Sequence, residues 1–97
     1  MTPATRDELI DQLKHGVLEF DEDAVVEASE KVVEQGYDAY DAVMNGLGEG
    51  MNLVGERFTD GTYFVPEVLM AADALYRGLD ILRPLTRRRA GSGESNK

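Results

Sequence analysis

Proline at position 66 is the residue that most restricts how this chain can fold. Proline is excluded from the interior of an α-helix but is favoured at the first position, where its missing N–H would have no partner. A helix is therefore predicted to start at Pro66. The turn signal Asp60-Gly61 precedes this helix, and an unusually apolar segment follows as far as Leu82.

The helix after Pro66 has more apolar residues than one buried face needs. A surface helix buries a single stripe about 100° wide, with spacings of three and four residues. Mostly large residues supply such a stripe and are predicted to face the core: Val65, Val68, Leu69, Ala72, Leu75 or Tyr76, Leu79 and Leu82. The remaining apolar residues are mostly small and form a second face beside Phe64: Met70, Ala71, Ala74, Gly78 and Ile81. This second face is predicted to lie outside the core and to cover a flat, rigid body.

Two upstream helices are predicted from their capping signals. Thr5 and Glu8 fit a capping box that opens the first helix, which is expected to end near Glu19. The acidic run at 21–23 supplies carboxylates that can cap the second helix. That helix is predicted to stop at Gly36, a suitable residue for the left-handed position after a helix.

A third helix is predicted from a stripe of apolar residues between Tyr40 and Phe58, capped by Asp38. Glycine in a helix interior costs about 1 kcal/mol relative to alanine. The segment therefore either breaks into two helices or packs so closely that bare backbone is required, and the continuous helix is favoured. The glycines concerned are Gly46, Gly48, Gly50 and Gly55, and Gly48 and Gly55 are not assigned cofactor contacts. Gly48 and Gly55 are interpreted as helix-contact glycines.

Four helices joined by short connections predict an all-α, four-helix up-and-down bundle. A length of 97 residues suits one domain. The bundle is predicted to occupy residues 1–88, because the last helix is expected to end near Thr86. Residues 89–97 are rich in glycine and serine and are predicted to form a flexible linker.

Composition excludes most catalytic chemistry. The chain has no cysteine, so neither a thiolate metal site nor a cysteine nucleophile can be assembled, and its single histidine, His15, lies off the apolar stripe and is interpreted as a surface residue. The net charge of −9 disfavours binding to nucleic acid. No apolar run of about 18 residues and no signal-peptide pattern is present, so a cytoplasmic protein that does not enter a membrane is predicted. The residues alone therefore indicate a binding module without catalytic or metal-ligating residues.

The segment from Gly50 to Pro84 resembles a known family. It is similar to the N-terminal cap domain of cobalamin-binding modules, as in methionine synthase and in corrinoid proteins of methyltransferase systems. The resemblance covers Leu9 to Leu85. The residues that carry it are Gly50-Met51, Val54-Gly55, Phe58, Gly61, Phe64 to Leu69, Ala71-Ala72 and Leu82-x-Pro84.

The resemblance implies that the bundle is a cap over the upper face of the corrin ring. Such a cap shields methylcobalamin while a methyl group passes between methyltransferases, and it has no enzymatic activity of its own. Phe64 is implied to shield the methyl group, although from the residues alone it could also be a hydrophobic staple across the turn. The implied cofactor-binding residues are Phe64, Ala71, Ala74, Leu75, Met51 and Val54.

The resemblance also implies partners for the cap. In the family a Rossmann-like domain follows and binds cobalamin from below, through a histidine in an Asp-x-His-x-x-Gly motif. The 97 residues contain no such motif, so this chain is expected to lack that domain and to contact only the upper face. It is expected to hold cobalamin weakly or not at all when alone. The Rossmann-like domain and methyltransferase subunits are its expected partners.

Two alternatives stay open. The chain is also consistent with a free-standing helical interaction module that forms a homodimer through its spare apolar face. A cobalamin-dependent sensor domain is the other alternative, but light-sensing regulators with this bundle have tryptophan where Phe64 stands. They also have a Glu-His pair where this chain has Ala74 and Leu75, and no DNA-binding segment is present here.

Overall fold

The computed structural model describes the backbone of residues 4–91 and the side chains of residues 4–86, and this part of the chain is entirely helical and irregular, without a strand. The prediction of an all-α bundle of four helices is confirmed. Helix α1 spans Arg6–Leu18, α2 spans Glu22–Glu34, α3 spans 39–59 and α4 spans Val65–Gly91. None of these helices, over residues 4–91, combines the length and the apolar character that a bilayer crossing demands.

The predicted capping residues start and stop the first three helices. Thr5 Oγ1 accepts a hydrogen bond from the amide of Glu8 at 3.1 Å, and the Glu8 carboxylate accepts one from the amide of Thr5 at 2.9 Å. Asp21 and Asp38 accept hydrogen bonds from amides in the first turns of α2 and α3. Gly36 follows α2 with a φ of +76°, a conformation that favours glycine.

Helix α3 is continuous, as predicted, because its glycines let two helices approach closely. A Cβ added at Gly46 would lie 2.9 Å from the Cβ of Leu13. At Gly50 it would lie 2.8 Å from both the carbonyl oxygen of Lys14 and the Cβ of Val17. Contact between α1 and the backbone of α3 therefore requires glycine at these two positions.

The middle of α3 is a π-helix, which the sequence pattern did not predict. The helix consists of an α-turn Ala39–Asp41, a π segment Ala42–Leu47 and an α segment Gly48–Thr59. The wider turn leaves the adjacent residues Gly46 and Leu47 both buried in the core.

The core face of α4 differs from the predicted one, although Leu82 is buried as predicted. Its fully buried residues are mostly small: Ala71, Ala74, Gly78 and Leu82. A Cβ at Gly78 would lie 2.9 Å from Val25 of α2 and 3.0 Å from Leu47 of α3. The neighbouring helices thus lie too close for large side chains between them, and small residues fill this face.

Three of the large side chains that were predicted to be buried are instead turned to solvent. Val65, Leu69 and Tyr76 are each more than half exposed. Helix α4 does have two apolar faces, as predicted, but the prediction of which face packs in the core is wrong. The unpartnered face is the one that carries the larger residues.

Both ends of α4 differ slightly from the prediction. The helix begins at Val65, so Pro66 occupies its second position. It continues through Pro84 to Gly91, and the prediction of an end near Thr86 is wrong because the following residues, mainly arginine and alanine, are strong helix formers. Residues 92–97 of the predicted linker lie outside the described part of the chain.

Candidate functional site

The turn between α3 and α4 is held by its own polar groups. The carboxylate of Asp60 accepts a hydrogen bond from the amide of Thr62 at 2.9 Å. Hydrogen bonds from Thr62 hold the pKa of Asp60 below its ordinary value. Gly61 has a φ of +87°, as the predicted Asp60-Gly61 turn requires. The backbone that leads into α4 is therefore held in one conformation by the turn.

Tyr63 connects this turn to the segment that joins α1 and α2. Its hydroxyl donates a hydrogen bond to the carbonyl oxygen of Leu18 at 2.8 Å. Its ring lies 5.3 Å from the ring of Phe20, and the guanidinium of Arg57 lies 5.5 Å from the Tyr63 ring centroid. The residue before Phe64 is thus anchored to the junction of α1 and α2.

Phe64 has a fixed backbone and an exposed ring. Its amide donates a hydrogen bond to Glu67 Oε1 at 2.9 Å, so Glu67 closes the first turn of α4. The side chain of Phe64 is 66% exposed, so it does not act as a hydrophobic staple across the turn. An aromatic ring held in this way is available to a partner surface.

A small apolar hollow lies between α3 and α4, beside Phe64. Its volume is about 180 Å³, and nearly all of its lining is apolar. We call it the α3–α4 hollow; it is lined by Met51, Val54, Gly55, Phe58, Val65 and Val68. Leu69 lies one turn beyond Val65 on the same side of α4 and is also exposed. Phe58, Phe64, Val65 and Leu69 together form what we call the apolar rim.

The structure brings together only some of the predicted site residues. Met51 and Val54 line the α3–α4 hollow, and Phe64 belongs to the apolar rim. Ala71 and Ala74 have 0% exposure and lie in the core of the bundle. Leu75 is half-buried against that core. The prediction that Ala71 and Ala74 lie on a free surface is wrong, because these residues fill the tight space between helices.

Several residues of this surface were missed from the sequence. Helical spacing predicts these as core residues: Phe58, Val65, Val68 and Leu69.

The interpretation of Gly48 and Gly55 as helix-contact glycines is also wrong. A Cβ added at Gly48 would meet only the carbonyl oxygen of Val43 in the same helix, at 3.2 Å. A Cβ added at Gly55 would meet no atom within 4 Å beyond the adjoining backbone of its own helix. In the sequence, a glycine that lies beside an apolar surface looks the same as a glycine that allows two helices to pack closely. Only the structure distinguishes the two kinds.

The described residues offer apolar contact at this surface and no acid–base chemistry. No group of three or more His, Cys, Asp or Glu side chains among them could hold a metal ion. A hydrogen bond from Arg6 lowers the pKa of Asp41, and that carboxylate lies on the first turn of α3, outside the residues that line the hollow. The surface can therefore cover an apolar partner and exclude water from it.

Comparison with known proteins identifies the kind of partner. Residues 9–83 match the family model described as "B12 binding domain". The chain belongs to this family. Its cofactor is cobalamin, as the resemblance implied.

The B12 binding domain also has relatives among curated proteins. It is 40% identical to a corrinoid protein of Desulfitobacterium hafniense (strain Y51), over 90% of this chain and 41% of the relative. It is 33% identical to trimethylamine corrinoid protein 1 of Methanosarcina acetivorans, over 95% of this chain and 43% of the relative. The chain thus spans about two fifths of the length of these relatives.

Solved structures share the fold. The monomethylamine corrinoid protein of Methanosarcina barkeri superimposes with a TM-score of 0.77 and 25% identity, over 82% of this chain and 38% of that one. The methanol:cobalamin methyltransferase complex of the same organism gives a TM-score of 0.71 and 32% identity, over 98% of this chain and 34% of the matched chain.

The residues present fit one face of a corrinoid. A corrin is a broad, nearly flat macrocycle whose faces are largely apolar, and the apolar rim with the α3–α4 hollow offers a matching apolar surface. The single histidine, His15, is on α1 and contacts Asp11, outside the residues of that surface. The described part of the chain thus suits contact with the ring, with no side chain at that surface placed to ligate cobalt.

Proposed function

We propose that this B12 binding domain is the helical cap of a corrinoid methyl-carrier protein. Its role would be to shield the upper face of methylcobalamin during methyl transfer between methyltransferases. The observation that carries the proposal is the apolar rim around the α3–α4 hollow, left uncovered by the chain's own fold. The family match and the similarity to corrinoid proteins support the same assignment.

Exclusion of water is the physical contribution of the cap. Bound cobalamin would supply the cobalt that carries the methyl group. Phe64 would cover that position, while Val65, Leu69 and Met51 would keep solvent from the surrounding ring. These side chains form no hydrogen bond with the ring, so the cap could leave and return as methyltransferases dock.

Ala71, Ala74 and Leu75, which were predicted to contact the corrin ring, have a supporting role in this proposal. Ala71 and Ala74 are buried, and Leu75 packs against the same core. We propose that these residues support the cap from behind, because their packing fixes the direction in which α4 presents Val65 and Leu69. Contact with the ring is assigned to the other face of the helix.

The partners of the cap follow from the same proposal. A Rossmann-like cobalamin-binding domain would hold the cofactor from below, and methyltransferase subunits would meet the complex when the cap moves aside. One similar solved structure is a methanol:cobalamin methyltransferase complex. The cap itself would take no part in bond making and would have no activity alone.

A chimera tests the cap function. This chain would replace the matching region of the D. hafniense corrinoid protein, to which it is 40% identical over 88 residues. The chimera would be loaded with methylcobalamin and its photolysis under visible light followed by absorbance. Phe64→Ala should speed photolysis several-fold, because the ring that covers the methyl group is removed.

A matched control separates this effect from a general loss of apolar surface. Val33 is an exposed apolar residue of α2, outside the apolar rim, and Val33→Ala should leave photolysis unchanged. Phe64→Ala should change the free energy of unfolding by less than about 0.5 kcal/mol, because the side chain is mostly exposed. An unaltered photolysis rate in the Phe64 variant would remove this residue from the proposed role.

The isolated chain should behave differently from the chimera. Because the apolar rim and the lining of the α3–α4 hollow contain no His, Cys, Asp or Glu, the visible spectrum of methylcobalamin should be unchanged when the chain is added. A spectral change would show that the chain alters the coordination of cobalt, which the cap proposal does not allow.

Self-association is a second candidate function for the same surface. Exposed apolar patches tend to find partners, and the apolar rim is exposed in the single chain. The net charge of −9 opposes close contact between two copies. Sedimentation velocity at low and high salt would reveal a dimer that salt strengthens, and Leu69→Ser should abolish it.

A further inference from the structure

Gly55 has no role in the fold of this chain. A glycine within a helix costs about 1 kcal/mol relative to alanine, so each one needs a reason. Gly46, Gly50 and Gly78 have one, because an added Cβ would lie 2.8–2.9 Å from a neighbouring helix. At Gly55 an added Cβ would meet no atom within 4 Å. Packing inside the bundle therefore does not explain this glycine.

The position of Gly55 indicates an external reason. It lines the α3–α4 hollow with Met51 and Val54 of α3 and with Val65 and Val68 of α4. A glycine without neighbours, at the wall of an apolar hollow, leaves bare helix backbone open to a molecule from outside. Glycine is often found where another group must approach the backbone closely.

The size and chemistry of the hollow restrict its occupant. Its volume of about 180 Å³ is smaller than that of pockets that enclose a whole small molecule, which are about 300–1,000 Å³. It therefore suits the edge of a larger rigid body. Its lining is nearly all apolar, so the amide arms of a corrinoid would lose their hydrogen bonds inside it, whereas the ring's peripheral methyl groups would not.

We propose that the α3–α4 hollow receives a methyl-bearing edge of the corrin ring, and that Gly55 allows this edge to contact the backbone of α3. The inference rests on the proposed cap function and extends it by a second point of contact. Phe64 directly precedes Val65, a lining residue of the hollow, so both contacts lie at the same end of α4. Two contacts would fix the orientation of the cap on the ring, which a single aromatic contact would not.

A titration of the whole 97-residue chain tests the proposal. The ¹⁵N-labelled chain would be titrated in the dark with methylcobalamin and followed by amide chemical shifts, which detect weak binding that leaves cobalt coordination unchanged. The largest changes should fall on Gly55 and the other lining residues. Amides of the acidic cleft beside Arg77, formed by Glu22 and neighbouring residues of α2, should not move.

Variants then separate the hollow from the rest of the surface. Gly55→Ala should weaken binding about fivefold or more, because the added methyl group occupies the space of the ring edge. The same variant should melt at a higher temperature than the wild type, so a loss of binding would not reflect unfolding. Asn52→Ala is the control: it lies on α3, is exposed, does not line the hollow, and should bind like the wild type.

Comparing Phe64→Ala with Gly55→Ala tests the hollow separately from the cap function. If Phe64→Ala weakens binding while Gly55→Ala does not, the hollow is not a contact site and the cap function stands. The inference about the hollow is overturned if the shift changes fall on another surface. It is also overturned if no shifts are seen and Gly55→Ala leaves the photolysis rate of the methylcobalamin-loaded chimera unchanged. In that case photolysis of the chimera still decides whether the domain is a cap.

Discussion

Alanine at two glycines of α3 is expected to change the stability of this domain in opposite directions. Gly50 and Gly55 both lie within the α segment Gly48–Thr59, so both substitutions gain about 1 kcal/mol in helix propensity. They differ in what the new methyl group meets. At Gly55 it meets nothing within 4 Å, whereas at Gly50 it meets α1.

The size of the difference follows from the contacts. The Cβ of Gly50→Ala would lie 2.8 Å from the carbonyl oxygen of Lys14, a backbone atom that cannot move without shifting α1. Overpacking of this kind costs about 1–3 kcal/mol, and the backbone contact favours the upper part of that range. After the gain in propensity, Gly50→Ala should destabilise the domain by about 2 kcal/mol. Gly55→Ala should stabilise it by about 1 kcal/mol.

Urea unfolding followed by far-UV circular dichroism would measure both changes in the 97-residue chain. In thermal unfolding, each 1 kcal/mol corresponds to a shift of about 4–8 °C for a domain of this size. A Gly50→Ala variant as stable as the wild type would refute the close contact between α1 and α3. A destabilised Gly55→Ala variant would show that the wall of the hollow is already occupied by the chain itself.

Three further substitutions test other parts of the structure. Ser29 has a buried hydroxyl without a hydrogen-bond partner among the described residues, so Ser29→Ala should raise the free energy of unfolding by about 1 kcal/mol in urea titrations. Tyr63→Phe removes the hydrogen bond to Leu18 and should lower it by about 1 kcal/mol, with ring contacts retained. The lowered pKa of Asp41, caused first by its hydrogen bond with Arg6, means that its stabilising effect is present above the ordinary value of 3.8 and is lost as pH falls through the folded-state value. Asp41→Asn should therefore flatten the decline in the urea midpoint between about pH 5 and about pH 2.

The helix caps and turns could be predicted from the sequence because they depend on residues that are neighbours along the chain. Thr5, Asp21 and Asp38 cap helices through their own side chains, and Gly36 and Gly61 adopt positive φ where the backbone requires it. The presence of two apolar faces on the last helix was also predictable, since it follows from residue spacing. The family resemblance carried the assignment of cobalamin.

Burial could not be read from the same pattern. A helix that is apolar on two sides satisfies helical periodicity in either orientation, so spacing does not identify the inward face. The distance between helices decides it: at Gly78, α4 lies so close to Val25 of α2 and Leu47 of α3 that a Cβ would be 2.9–3.0 Å from them, and the same helix buries the small residues Ala71 and Ala74. The π segment Ala42–Leu47 was not predictable from spacing either, because its wider turn buries the consecutive residues Gly46 and Leu47, which an α-helical pattern does not place on one face.

Some residues of the candidate site were predicted from the sequence, and others were found only in the structure. Phe64, Met51 and Val54 were predicted through the family resemblance, whose motif includes residues on both sides of the Asp60-Gly61 turn. Gly55 and the exposure of Val65 and Leu69 were decided by the tertiary structure, because they depend on which surfaces the other helices leave uncovered. Sequence therefore determined where each helix begins and that one apolar face is spare, and interhelical distance determined which face that is.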